Sequence, residues 1–216
     1  MDQAVEPRQA VERRYRGRLP DERRAERRRR LLDAGLELFG TAGYHGTSIE
    51  RLCGKAGVTA RHFYQEFSGR EALLDALFGE IVSEVGQAVL DALAAAQDRS
   101  PRSRTRAAIS AFVHGMLDDP RRARVVCVEM TGINPELERT RQEALHGFAR
   151  ITQAEIERQA DAGVIARRDY HLAALVAAGG TRELLMEWVS GDRNPPLEEL
   201  IQELTRIFVA IANQDP

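Results

Sequence analysis

Between Thr47 and Phe67 the chain reads TSIERLCGKAGVTARHFYQEF, and its hydrogen-bonding side chains gather on one side of a short second helix. Ile49, Leu52 and Ala56 recur at helical spacing, so a first helix buries one face, with Cys53 small where the second helix must cross. Thr47, followed three residues on by Glu50, forms a capping box, which starts that helix at Thr47. Gly57 supplies the backbone freedom of a tight turn, Val58 plugs the corner and Thr59 caps a helix beginning at Ala60. Burying Phe63 and Phe67 leaves Thr59, Ala60, Arg61, His62, Tyr64 and Gln65 outside. A flat face carrying a guanidinium, an imidazole and an amide matches base edges in a DNA major groove. An ordinary helical hairpin with a solvated outer face explains the turn, but not that choice of donors.

Other chemistries lack a constellation. Serines, histidines and carboxylates are scattered without a nucleophile elbow or phosphate loop, so no catalytic residue is assigned. His114 and His146 lack a paired spacing for a metal, and no cofactor is implied. Cys53 and Cys127 are the only cysteines; both fall in apolar helical patterns and read as buried thiols, with a redox role as the alternative.

The helix-turn-helix needs a scaffold, and the 216 residues allow a small head on a larger body. Residues 1–20 are Arg-rich and poor in apolar side chains, which predicts a disordered arm. Two readings of it stand: arginines entering the minor groove, or a solubilising tail. Pro20 opens a helix whose Leu32, Leu36 and Phe39 share a face, and whose Arg27–Arg30 run reads as a wet face or a phosphate attractor. Gly40, Gly43 and Gly46 break it around Tyr44, which either packs on the head or touches a phosphate. Ser68 and Glu71 form a second capping box, before a long helix through Leu74, Leu77, Phe78, Ile81 and Val85 that joins head to body. Tilting it would move the head.

Beyond it, Gln97–Thr105 reads as a loop, and Ile109 to Leu117 as a helix. Val125, Val126, Cys127, Val128 and Met130 are β-branched enough for a strand in isolation, yet read as a buried helix here. Glu136–Ala162 is a long helix. Phe112, Met116, Cys127, Met130 and Phe148 form an apolar set from three helices, either plain core or the lining of a ligand pocket. The last two helices carry apolar residues on more than one side. Val176, Gly180, Leu184, Trp188, Leu200, Leu204, Ile207 and Phe208 are therefore candidates for a four-helix interface between two copies.

Leu36-Glu37-Leu38-Phe39, Gly43-Tyr44, Thr47-Ser48-Ile49, Ala56-Gly57-Val58, Phe63-Tyr64, Phe67 and Arg70-Glu71-Ala72-Leu73-Leu74 resemble the TetR family of bacterial transcriptional regulators in order and spacing. The resemblance covers residues 25–78. It implies an all-α fold, with a DNA-binding head (21–79) and a helical body (80–216) that holds an effector pocket and dimerises. The implied partners are a double-stranded DNA operator, a second copy of the chain and a small apolar or amphipathic effector. Carried over by position, Thr47, Tyr64 and Arg70 resemble phosphate contacts, and Thr59, Arg61 and His62 resemble base readers. Ser48, Ala60 and Gln65 complete the expected DNA-binding set. Cys53 stands where the family commonly has Ala. Arg61 replaces a frequent small residue and favours guanine in the operator.

Charge supports this polarity. Through Gly79 there are fifteen Lys and Arg against twelve Asp and Glu, while the remainder has sixteen against twenty-one, so the basic end is the DNA end. No apolar run approaches a membrane span and no leader is recognised, which predicts a cytoplasmic protein with no membrane partner.

Overall fold

The computed structural model describes residues 20–96, 100–191 and 194–213; the expected Arg-rich arm lies outside them, apart from Pro20. The described residues form helices without strands. The head contains α1 (Pro20–Ala42), α2 (Ile49–Ala56) and α3 (Ala60–Glu66). Helix α4 (Arg70–Ala95) leaves the head and enters the body. The body adds α5 (Pro101–Leu117), α6 (Pro120–Arg124), a π turn (Val125–Glu129), α7 (Pro135–Asp161), α8 (His171–Ser190) and α9 (Leu197–Ala212). The fold is therefore all-α, as expected.

One apolar core runs through both parts. Leu31, Phe39, Leu52, Phe63 and Leu73 close the head, and Phe78, Ile81 and Val85 carry the core along α4 to Val113, Val125 and Ile201. The helix starts differ from those read in the sequence. Ser48, not Thr47, caps α2, its hydroxyl accepting from the Arg51 amide at 3.3 Å. Thr47 is buried, and its hydroxyl donates to the carbonyl of Gly43 at 2.8 Å. The second capping box is also absent: Gly69 is the N-cap of α4 without a side-chain cap, and the Glu71 carboxylate is engaged by Tyr44 instead. The expected loop after Gln97 is shorter, because Ser100 caps α5 and Pro101 occupies its first turn, where a missing N–H costs nothing.

Gly40 does not break α1 but lies inside it. A Cβ there would stand 2.4 Å from the Arg121 Cβ, so the glycine lets α6 of the body touch α1 of the head. The arginine run is likewise structural. Arg24 and Arg27 pair with Glu66, Arg29 pairs with Glu80, and the Arg28 guanidinium lies 4.5 Å from the Phe67 ring centroid. These contacts strap α1 to α3 and α4.

Gly40→Ala is expected to lower stability by about 1–3 kcal/mol through overpacking. Gly79→Ala, in an open helical position with nothing within 4 Å, should raise it by about 0.5–1 kcal/mol. Thermal unfolding of the two variants checks this; shifts of the same sign would contradict the close approach.

Candidate DNA-reading face and effector cavity

The two short helices are fixed by their junction. Gly57 adopts φ 63°, ψ 40° and ends α2 in the left-handed region, which a side chain would strain. Thr59 caps α3, accepting from the His62 amide at 3.3 Å, and its hydroxyl lies 3.2 Å from His62 Nδ1. Phe63 and Phe67 point inward, while Ala60, Arg61, Tyr64 and Gln65 are exposed together and His62 is half-buried beside them. Tyr64 is 59% exposed, far more than a tyrosine retained for packing. Ser48, at the start of α2, remains partly accessible.

Two expected contacts are displaced from this face. Thr47, an expected phosphate contact, is 1% exposed with its hydroxyl turned inward. Arg70 is half-buried and its Nη1 donates to the carbonyls of Tyr44, at 3.2 Å, and Thr47. Its guanidinium also lies 4.6 Å from the Tyr44 ring centroid. Both residues hold the turn between α1 and α2.

Tyr44 is the centre of that turn. It is buried, its hydroxyl donates to Glu71 at 2.6 Å, and its amide donates to Glu129 Oε2 at 2.7 Å. Burial and the Glu71 carboxylate push the phenol up to about 12, and the same hydrogen bond lowers the Glu71 pKa. Glu129 also accepts from Arg124 Nε at 3.0 Å. Gly43, at φ 79°, would carry a Cβ 3.2 Å from the Glu129 carboxylate. The sequence showed the glycines around Tyr44, but not the partner eighty-five residues away.

Glu129 ends the π turn, and Val126 and Cys127 of the same turn line a cavity in the body. The segment is buried as expected, although wound as π rather than α. Phe112, Met116, Cys127 and Phe148 come together on the cavity wall. The Phe112 and Phe148 rings meet edge-on, with centroids 5.1 Å apart. Met130, expected with them, packs into the core with no exposed surface and does not line the cavity.

The cavity extends along α4 from Phe78 to Leu93, roughly 22 Å at the helical rise. Its cavity volume is about 140 Å³, and the empty space reaches about 1160 Å³ only when the side open to solvent is counted. A cleft between α4 and α7 shares Val82, Leu93 and Phe148 with it and continues past Gly86 and Gly147 to Arg150, giving an opening to solvent. At the far end Arg104 Nε and Nη2 bind Glu155 at 2.9 and 2.7 Å. Burial alone would raise the Glu155 pKa, but Arg104 and Arg158 hold it at about 2.

The remaining expectations sort by burial. Val176 is 69% exposed, Leu184 40% and Ile207 38%, on α8 and α9, and Gly180 has nothing within 4 Å of a would-be Cβ. Leu200 and Leu204 are buried within the chain, so these two are corrected from the outer face to the core. Phe208 and Trp188 are half-buried; Phe208 lines the cavity, and the Trp188 indole donates to the Pro195 carbonyl at 3.2 Å. Burial pushes the Cys127 thiol up to about 12, and burial with nearby Glu50 raises Cys53. Both favour the unreactive thiol. Among the described residues no group of His, Cys, Asp and Glu could hold a metal, and no helix is long and apolar enough to cross a membrane.

Comparison with known proteins agrees with this arrangement. Residues 31–77 match the model of bacterial regulatory proteins of the tetR family, and residues 98–212 match a tetracyclin repressor-like C-terminal domain. The chain belongs to the TetR family: it is a DNA-binding transcriptional regulator, not an enzyme. Its relatives include the fatty acid metabolism regulator protein of Bacillus subtilis, 23% identical over 83% of this chain and 92% of that protein. The transcriptional regulator BetI of Serratia proteamaculans is 34% identical over 43% of this chain, a stretch spanning 45% of BetI. Among solved structures, FadR of Bacillus halodurans superposes with a TM-score of 0.77 at 20% identity, covering 85% of this chain and 94% of FadR. FadR of Bacillus subtilis, solved in complex with stearoyl-CoA, gives 0.72 at 23% identity over 84% and 97%.

The Glu155 carboxylate ionises more readily folded than unfolded, so its stabilisation is complete above the ordinary carboxylate range and fades as pH falls towards about 2. Glu155→Gln should therefore lie below wild type in stability at neutral pH, with the gap closing on acidification. Arg104→Met, which strands the carboxylate, should cost about 3 kcal/mol at neutral pH. Denaturant titrations at several pH values measure both; a gap independent of pH would contradict the pairing.

Proposed function

We propose that the chain is a ligand-responsive transcriptional repressor that binds a palindromic operator as a cytoplasmic homodimer and is released when an effector fills the body cavity. In this reading residues 21–79 are the DNA-binding head, 80–216 the effector-binding and dimerising body, and 1–20 an arm. The observation that carries it is the continuous route from cavity to head: Val126 and Cys127 on the wall, Glu129 at the end of their turn, Tyr44 on Glu129, and Arg70 and Glu71 on Tyr44.

Arg61, Tyr64 and Gln65 project from α3 as base and phosphate contacts, with Arg61 suited to guanine through paired bonds to O6 and N7. The exposed stripe of Leu172, Val176, Gly180 and Leu184 on α8, with Ile207 on α9, supports pairing of two subunits through these helices. Their heads would then meet half-sites about one helical turn apart.

The effector is a molecule with a long apolar chain. The length and apolar walls of the cavity support this, as does its likeness in fold to a FadR that binds stearoyl-CoA. Release requires only that the ligand favour a body in which the π turn and Glu129 are displaced, shifting the head from its DNA-bound spacing.

Selection of genomic fragments on the full chain, with each captured site rebound at two salt concentrations, tests the reading. A palindrome containing guanine in each half-site is expected. Capture that is blind to sequence and lost with salt would instead leave a helical interaction protein with a basic head. Arg61→Ala with His62→Ala should cost about 1–3 kcal/mol of operator affinity per half-site while sparing non-specific binding. Glu129→Ala should keep the cavity able to bind hexadecanoate while blunting its release of operator DNA, measured by fluorescence anisotropy.

A further inference from the structure

The effector cavity has an apolar wall interrupted by a few charged side chains, and all but one of these have their buried donors and acceptors answered. Glu155 is held by Arg104 and Arg158, and Arg141 is held by Glu138. Arg182 on α8 is the exception. Three-quarters of its side chain is covered, its Nη1 reaches the exposed Glu183 at only 3.4 Å, and its Nε is buried without a partner. The other buried polar atoms in that condition, on Arg27, Glu66, Asp75 and Arg122, lie away from the cavity wall.

A guanidinium donor shielded from water and left unbonded is costly, so its setting is completed by an acceptor brought into the cavity. Nη1 leans towards Glu183, while the buried Nε keeps its donor unanswered. On any guanidinium the N–H groups of Nε and its neighbour Nη2 run parallel, at the spacing a carboxylate accepts with both oxygens. Arg141 lines the same end of the cavity, and both guanidiniums lie close enough to Cys127 to act on its thiol.

Resting on the effector reading above, we propose that Arg182, supported by Arg141, is the anion subsite of the cavity and that the effector is a long-chain acid with a free carboxylate. The carboxylate lies on the Nε–Nη2 edge of Arg182, beside the π turn, and the alkyl chain runs along α4 towards Leu93 and Gln159. The charged group thus rests against the segment that ends in Glu129. An acyl thioester has no carboxylate to place there, and its polar portion would have to leave through the cleft between α4 and α7.

Dodecanoic acid, dodecan-1-ol and dodecanoyl-CoA, each displacing Nile red from the full chain at neutral pH, separate these arrangements. Wild type should bind the acid about tenfold or more tightly than the alcohol, the range of one charge-assisted buried hydrogen bond. Arg182→Gln should bring the acid down to the alcohol while leaving the alcohol unchanged, and Arg141→Gln should do so in part. Equal binding of acid and alcohol by wild type would overturn the subsite, and this comparison stands even if Arg182→Gln fails to fold. Tighter binding of the thioester, insensitive to Arg182→Gln, would also overturn it and place the polar group at the α4–α7 cleft. Displacement by none of the three would remove the effector reading along with the subsite.

Discussion

The link between the head and the cavity wall turns on one hydrogen bond between distant parts of the chain, from the Tyr44 amide to the Glu129 carboxylate. The side chain of Glu129 is only 9% exposed, so its charge depends on this amide and on Arg124 for compensation. The Tyr44 side needs the contact equally, because the end of α1, the start of α2 and the start of α4 all attach to it. Gly43 leaves room for the carboxylate, and Gly40 lets α6 approach closely enough to present it.

Arginine does different work in different places. In α1 it binds Glu66 and Glu80 and covers Phe67, so the most basic stretch among the described residues is spent on cohesion rather than on DNA. In the body Arg104 neutralises a buried carboxylate. Arg61 makes no ion pair with the described residues and stands exposed on α3, which leaves its full charge and fork for a partner. Net charge alone does not separate these uses; the position of each acidic neighbour does.

Much of this was legible in the sequence because it depends on local rules. Gly57, Val58 and Phe63 specify a turn and a buried corner wherever they occur at that spacing, and the exposed set on α3 follows by subtraction. Sequence alone sets the cap of α2 one residue early, because Thr47 and Ser48 both carry hydroxyls and only tertiary packing draws the first inward. Leu200 and Leu204 read as outward-facing because a broad apolar helix does not declare which side meets its own core. Helical spacing groups Met130 with the cavity, and a π turn shifts that spacing. Glu129 carried no local signal at all: an acidic residue after a β-branched run becomes legible only when α6 is laid against α1.

The π turn gives the body its mechanical character. Its wider rings place five residues where α-helical bonding would hold them more tightly, and it lies between α6, braced against Gly40, and the break before α7. When stiff members are joined in series with a softer one, deformation concentrates in the softer one. The helices around the cavity are the rods of this assembly and Val125–Glu129 its spring. Compliance is thus localised beside the cavity wall, one residue from Met130, whose complete burial anchors the spring's far end.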